Sequence, residues 1–247
     1  MIATSTKGIS EAVRQAIAAL DFEQVRQQYW NQNEFVCLPQ FLSPSVVEEC
    51  LLPSVQDLKP HLNRNYIPGH KKGGSVSYYT VRDQAPTFVE LYRSQAFMDF
   101  LSRLVGARLM LCPENDPHAC ALYYYTEPGD HIGFHYDTSY YKGARYTILM
   151  GLVDRSPSCR LICQLYKDDP HRQIKELQLA TEPGTVVIFN GDKLWHAVTP
   201  LGEDEERAVL TLEYVTNQEM GSIKRLYSNL KDAFGYFGLK ALLPGRP

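Results

Sequence analysis

Glu182-Pro-Gly-Thr-Val-Val-Ile-Phe-Asn-Gly-Asp-Lys-Leu-Trp-His-Ala-Val-Thr-Pro200 places two short apolar runs between turn signals. Pro183-Gly184 opens a turn and Val186 to Phe189 reads as a strand. Asn190-Gly-Asp192 reverses the chain, and a second strand carries His196. The rhythm recurs on either side. Ala121–Tyr125, Tyr146–Val153, Leu161–Tyr166 and Ala208–Thr216 are β-rich, with turn clusters such as Glu127-Pro-Gly-Asp130 and Lys167-Asp-Asp-Pro170 among them. Many short strands at this spacing predict a sandwich or jelly roll and not a parallel βαβ sheet.

The flanks read differently. Ile9 to Tyr29 spaces Val13, Ile17 and Leu20 as one helical face. Glu34 to Pro39 suggests a short strand, and Ser43-Pro44 a capped helix start. Pro86 to Val105 predicts a further helix burying Phe88, Leu91, Tyr92 and Phe97. Ser222 to Leu243 predicts a last one, either covering the core, capping a pocket or meeting a second copy. The basic, Gly-rich stretch Asn63 to Ser75 reads as a loop, either a solvated hairpin or a lid over an anionic group. The expectation is a single domain over 1–247: a mainly helical flank at 1–117, a jelly-roll core at 118–217 and a C-terminal helix at 218–247.

Within that core lies Gly129-Asp-His-Ile-Gly-Phe-His-Tyr-Asp137. Strand alternation puts His131, Gly133, His135 and Asp137 on one face. An imidazole and a carboxylate two residues apart can then hold one metal ion from a single strand. His196 needs a reason of its own, because a ring inside an apolar strand must be satisfied or ligated. Arg207, eleven residues on, opens the strand Ala208-Val-Leu-Thr-Leu-Glu-Tyr214. Arginine is suited to gripping a carboxylate with two parallel bonds in a dry site.

His135-x-Asp137, His196 after a Pro-Gly turn and strand, and Arg207 together resemble the iron(II)/2-oxoglutarate-dependent oxygenase superfamily. The resemblance covers Tyr123 to Thr216. Two histidines and a carboxylate on one face of an octahedral iron leave positions open. It implies a double-stranded β-helix (jelly-roll or cupin-like) core, mainly β with flanking helices. It also implies Fe(II) held by His135, Asp137 and His196, with 2-oxoglutarate and dioxygen as co-substrates and Arg207 on the far carboxylate of 2-oxoglutarate. Many relatives carry a Ser two residues after that Arg; Val209 stands there, and Tyr123 or Tyr125 is the candidate for the missing hydroxyl. Tyr123 is assigned to 2-oxoglutarate. His131, Tyr125, Thr138, Asn217, Lys72 and Ser77 are assigned to substrate. Asp137 fills the position that radical halogenases leave small, which favours oxygen transfer. The short chain and Leu212-Glu-Tyr-Val-Thr-Asn217 resemble the small group of free-amino-acid hydroxylases and halogenases.

Composition agrees with a small-molecule enzyme. The 247 residues are 44% hydrophobic and 21% charged, with formal net charge −3, which speaks against phosphate-backbone recognition. The six cysteines show no zinc spacing and read as reduced, buried side chains of a cytoplasmic protein. No membrane span is expected. Sixteen tyrosines against ten phenylalanines predict a polar, enclosed interior. The expected activity is hydroxylation of an unactivated C–H bond of a small molecule, first an amino acid or its derivative, by a monomer or homodimer. A macromolecule-modifying oxygenase and a non-catalytic metal-binding sensor are the alternatives; Arg207 has no purpose in the latter.

Overall fold

The computed structural model describes residues 8–220 and Phe237. Twelve strands form one curled antiparallel sheet: β1 (Phe35–Leu38), β2 (Asn63–Ile67), β3 (Lys71–Val76), β4 (Met110–Leu111), β5 (Cys120–Tyr125) and β6 (His131–His135), then β7 (Arg145–Arg155), β8 (Leu161–Leu165), β9 (Lys175–Leu179), β10 (Val186–Asn190), β11 (Trp195–Val198) and β12 (Glu206–Val215). The order is β1-β10-β7-β12-β5-β3-β6-β11-β8-β9, with β2 on β3 and β4 on β12. The larger face, through β12, and the smaller, through β11, meet across an interior cavity lined from both. This is the mainly β, jelly-roll core with flanking helices that the strand rhythm predicts.

The core reaches further back than residue 118. β1 zips onto β10, and β3 lies between β5 and β6, joining the two faces. The stretch Asn63 to Ser75 is therefore a hairpin built into the sheet, not a mobile lid. Composition hides it because its glycines serve close packing: a Cβ on Gly74 would stand 3.0 Å from the Tyr124 carbonyl oxygen. Arg64 anchors the hairpin with a two-point bridge to the buried Asp130 carboxylate, at 2.7 and 2.8 Å. Asp130 also accepts from the amides of Thr126 and Glu127. Burial alone would raise its pKa, but these partners outweigh it and the net shift is downward.

Each long helical expectation in the flank divides at a capping residue. Ile9 to Tyr29 becomes α1 (Ile9–Ala19) and α2 (Phe22–Asn31), because the Asp21 carboxylate accepts from the Gln24 amide. Pro44 starts α3 (Pro44–Val46), which continues through the π-turn Val47–Leu51 into α4 (Leu52–Leu58). After α5 (Tyr78–Gln84), Pro86 to Val105 becomes α6 (Pro86–Tyr92) and α7 (Gln95–Val105), with Ser94 Oγ capping the Phe97 amide. Asp and Ser compete for backbone donors, so they favour such breaks over helix interiors.

These helices cover the outer side of the larger face. Ala208, Leu210, Leu212 and Tyr214 on β12 join one core with Phe97, Leu101 and Leu104 of α7. A second cluster, with Phe35, Leu149, Leu161 and Phe189, fills the space between the faces. The tyrosine excess is partly spent on the outer layer. Tyr92 donates to the Glu213 carbonyl and accepts from the Cys112 amide, and Tyr214 donates to the Tyr92 carbonyl. The predicted helix Ser222–Leu243 lies outside the described residues apart from Phe237, whose ring packs on His118. No helix among the described residues is long and apolar enough to cross a membrane.

Gly184 fixes the turn into β10. Its φ is +87°, and a Cβ there would stand 1.9 Å from the Leu42 carbonyl oxygen. Replacing a left-handed Gly costs about 1–3 kcal/mol from backbone strain alone, and the clash adds to it. Gly184→Ala is expected to lower the unfolding free energy by at least about 2 kcal/mol in urea denaturation; an unchanged midpoint contradicts the packing described.

Candidate metal centre

Antiparallel pairing puts His196 of β11 directly opposite His135 of β6. Two residues further along the ladder, Val198 faces Ile132, three residues before His135, so the register slips by one. This bulge, at Gly133-Phe134, reverses strand alternation. Ile132 and His135 line the cavity, whereas Phe134 turns outward and stacks on Trp195. His131 is thereby carried off the ligand face, contrary to simple alternation. It does not line the cavity, and its Nδ1 lies 2.8 Å from the Gly129 carbonyl. Gly133 permits the bulge, since a Cβ would press on the His70 carbonyl at 3.2 Å.

His135, Asp137 and His196 are the group among the described residues whose ligand atoms converge, all lying within 4.8 Å of one another. His135 Nε2 is 3.4 Å from Asp137 Oδ1, and His196 Nε2 is 3.7 Å from Oδ2. Each ring's Nδ1 faces a backbone carbonyl, Gly133 at 2.8 Å and Leu194 at 3.1 Å. A carbonyl can only accept, so Nδ1 carries the proton and Nε2 turns its lone pair inward. Burial and the neighbouring His135 push His196 down to about 4, keeping it neutral. Burial also lowers His135, but the Asp137 carboxylate outweighs it and the net shift is upward. Burial would raise Asp137; the two imidazoles hold it far below the carboxylate range. A cation fits this donor set, replacing the protons that the imidazoles would otherwise draw toward the carboxylate.

Asp137 is held from behind. Thr147 Oγ1 lies 2.9 Å from its Oδ2 and also 3.0 and 3.2 Å from the carboxylate oxygens of Glu213. Gly191 lets the turn after β10 close over Asp137, for a Cβ would meet its carbonyl oxygen at 2.4 Å.

Every second residue of β12 (Arg207, Val209, Thr211, Glu213) lines a cavity of about 340 Å³ that also contains the triad. Arg207 is 0% exposed, and its Nε donates to Thr181 Oγ1 at 3.0 Å. Its two terminal nitrogens are buried with no hydrogen-bond partner among the described residues. A buried guanidinium left so is costly unless an anion completes it. The β5–β12 register sets Tyr125 opposite Arg207 and Tyr123 opposite Val209. The Arg207 Cζ sits 5.1 Å from the centre of the Tyr125 ring, while the Tyr123 ring faces the buried Lys71 ammonium at 5.0 Å.

Of the other predicted contacts, Tyr123, Tyr125 and Thr138 line the cavity; Lys72, Ser77 and Asn217 do not. Lys72 reaches to the Pro128 carbonyl, Ser77 stands at the N-terminus of α5, and Asn217 Oδ1 accepts from the Glu219 amide. Sequence reasoning missed His70, His118, Tyr140, Arg145 and Glu213, all on the cavity wall. The last two carried a signal: charged residues inside apolar strands are seldom buried unless paired.

No family model matches the sequence, and no curated protein matches it by sequence. Solved structures do match. The α-ketoglutarate-dependent epimerase SnoN of nogalamycin biosynthesis aligns at 15% identity and TM-score 0.65, over 82% of this chain and 86% of that one. The carbocyclase SnoK of the same biosynthesis aligns at 14% and TM-score 0.65, over 94% of each chain. A Trichoplax adhaerens prolyl hydroxylase, solved with a hypoxia-inducible-factor peptide, aligns at 16% and TM-score 0.63, over 86% and 95%. The fold is that of the iron- and 2-oxoglutarate-dependent oxygenases. Another SnoN structure holds Fe3+ and α-ketoglutarate. That oxygenase fold supplies the double-stranded β-helix in which the triad and Arg207 share one cavity here.

Because Thr147 steadies the Asp137 carboxylate, Thr147→Val is expected to weaken divalent-metal binding by about 10–100-fold in calorimetric titration, with the far-UV spectrum unchanged. His135→Ala should abolish binding. Unaltered affinity in His135→Ala removes the triad from consideration, and in Thr147→Val it removes the supporting role of Thr147.

Proposed function

We propose that this protein is an iron(II)- and 2-oxoglutarate-dependent oxygenase that hydroxylates an unactivated C–H bond of a small molecule, an amino acid or amino-acid-derived metabolite. The observation that carries the reading is the Arg207 guanidinium, buried with both terminal nitrogens unpartnered, in the cavity that the triad also faces. A metal-storing or sensing jelly roll has no use for it.

In this reading His135, Asp137 and His196 hold the iron, and Arg207 grips the far carboxylate of 2-oxoglutarate. Thr181 fixes Arg207 through Nε, leaving the terminal edge of the fork to the co-substrate. Tyr125, whose ring centre lies 5.1 Å from the Arg207 Cζ, would take the role first given to Tyr123 and stand in for the Ser that Val209 replaces. When bound, iron, dioxygen and the keto acid supply the oxidising power for C–H attack. The chain's own part is to orient and to exclude water. Leu149, Leu161, Val198 and Val209 give the cavity an apolar wall beside the triad, which limits water there.

Two features favour a small substrate. At one end of the cavity the polar groups are deeply buried, with Arg145, Glu213 and His118 no more than 6% exposed. The net charge of −3 offers no phosphate-tracking surface. The solved neighbours span both kinds, since SnoN is an epimerase of an antibiotic pathway and the prolyl hydroxylase was solved with a peptide.

Anaerobic protein given iron(II) and 2-oxoglutarate is expected to develop a weak visible metal-to-ligand band. Arg207→Gln should raise the 2-oxoglutarate concentration needed for that band at least ~30-fold, since removing one partner of a buried charge pair costs about 2–5 kcal/mol. Folded wild-type protein that gives no band sinks the proposal. An unchanged half-saturation in the variant sinks the role of Arg207.

A further inference from the structure

A second guanidinium faces the same cavity. Arg145, at the start of β7, is 4% exposed, and Glu213, near the end of β12, is 2% exposed. Arg145 Nε donates to Glu213 Oε2 at 2.8 Å. This contact uses one of the five N–H donors of the fork, and the terminal nitrogens have no acceptor among the described residues. The guanidinium lies 5.3 Å from the centre of the Tyr140 ring, and Asp116 also faces it. Apolar side chains of similar volume often replace such buried pairs without loss, and this pair lines the cavity that the triad also faces.

Arg145 is set apart from Arg207. Its partner Glu213 stands six residues from Arg207 on one strand, about 20 Å between Cα atoms at ~3.3 Å per residue, so the two arginines enter the cavity from opposite ends of the β12 row. The triad enters this end of the cavity through Asp137, which Thr147 links to Glu213.

We propose that Arg145 is the substrate's carboxylate anchor: its terminal nitrogens take a carboxylate in two parallel bonds, while Glu213 holds Nε and fixes the plane of the fork. This rests on the oxygenase reading for the chemistry that follows, but the binding itself needs no metal. The geometry selects small acids and discriminates against their amides, because a neutral amide cannot match two converging N–H donors.

The test is saturation-transfer NMR on the metal-free, full-length protein. The probes are the free amino acids and the corresponding α-amides, and dependence on Arg145 separates this site from Arg207. Wild-type protein is expected to bind one or more of the acids and to bind the matching amides at least tenfold more weakly. Arg145→Gln should weaken the acid at least tenfold. If that variant fails to fold, Arg145→Lys keeps the charge opposite Glu213 but loses the fork, and should weaken the acid several-fold while narrowing the gap to the amide. Equal binding of acids and amides, no acid bound, or undiminished binding in the variants overturns the anchor. The visible band with iron(II) and 2-oxoglutarate separates the two claims. Arg145-dependent acid binding without a band removes the oxygenase and leaves the anchor, whereas a band without Arg145-dependent binding does the reverse.

Discussion

The pairing of His196 with His135 across β6 and β11 is the constraint on which the site depends. Opposed residues on an antiparallel ladder stand about 5 Å apart, so two imidazoles meet without any long side chain being ordered. The bulge at Gly133-Phe134 turns Phe134 out, and Asp137 then falls between the rings. The carbonyls of Gly133, within β6, and Leu194, just before β11, set both tautomers. The convergence of the three side chains is thus a consequence of register, and a one-residue slip would send one of them to the outer face.

Strand β12 plays the complementary part. Both its faces are buried, one under helices and one on the cavity, so its inward residues are fixed by packing on the opposite side. Arg207 and Glu213 are held at the two ends of that row with Val209 and Thr211 between. The charged groups are costly to bury, and each is matched by a local partner: Thr181 for Arg207, Arg145 for Glu213. Burial pushes the Glu213 carboxyl up to about 7 even with Arg145 beside it. Asp116, by contrast, is held down to about 2, because His118, Arg145 and the Tyr141 hydroxyl outweigh its burial. The cavity end away from Arg207 is therefore polar and tightly wired, and the wall beside the triad is apolar.

Much of this was legible in the chain. The strand rhythm from Ala121 to Thr216, the His-x-Asp and the later His and Arg carry local signals that survive without knowledge of packing. What stayed hidden depends on long-range pairing. Lys71-Lys-Gly-Gly-Ser75 reads as a loop because its residues lack β-propensity, yet the chain holds it between two strands by ladder bonds. His131 was misplaced because a bulge leaves no periodic mark other than a glycine. Lys72 lies on β3 but turns to the Pro128 carbonyl, and Ser77 falls past the strand at the start of α5. Arg145 and Glu213, sixty-eight residues apart in sequence, declare themselves only when β7 and β12 pair.

The central claim is that one cavity holds a metal on His135, Asp137 and His196 and a keto acid on Arg207. An anaerobic crystal structure with manganese(II) and 2-oxoglutarate tests it most directly. The account predicts metal density at both Nε2 atoms and the Asp137 carboxylate, with the far carboxylate of the keto acid in two-point contact with Arg207. Metal bound elsewhere, or a keto acid lying away from Arg207, would contradict it.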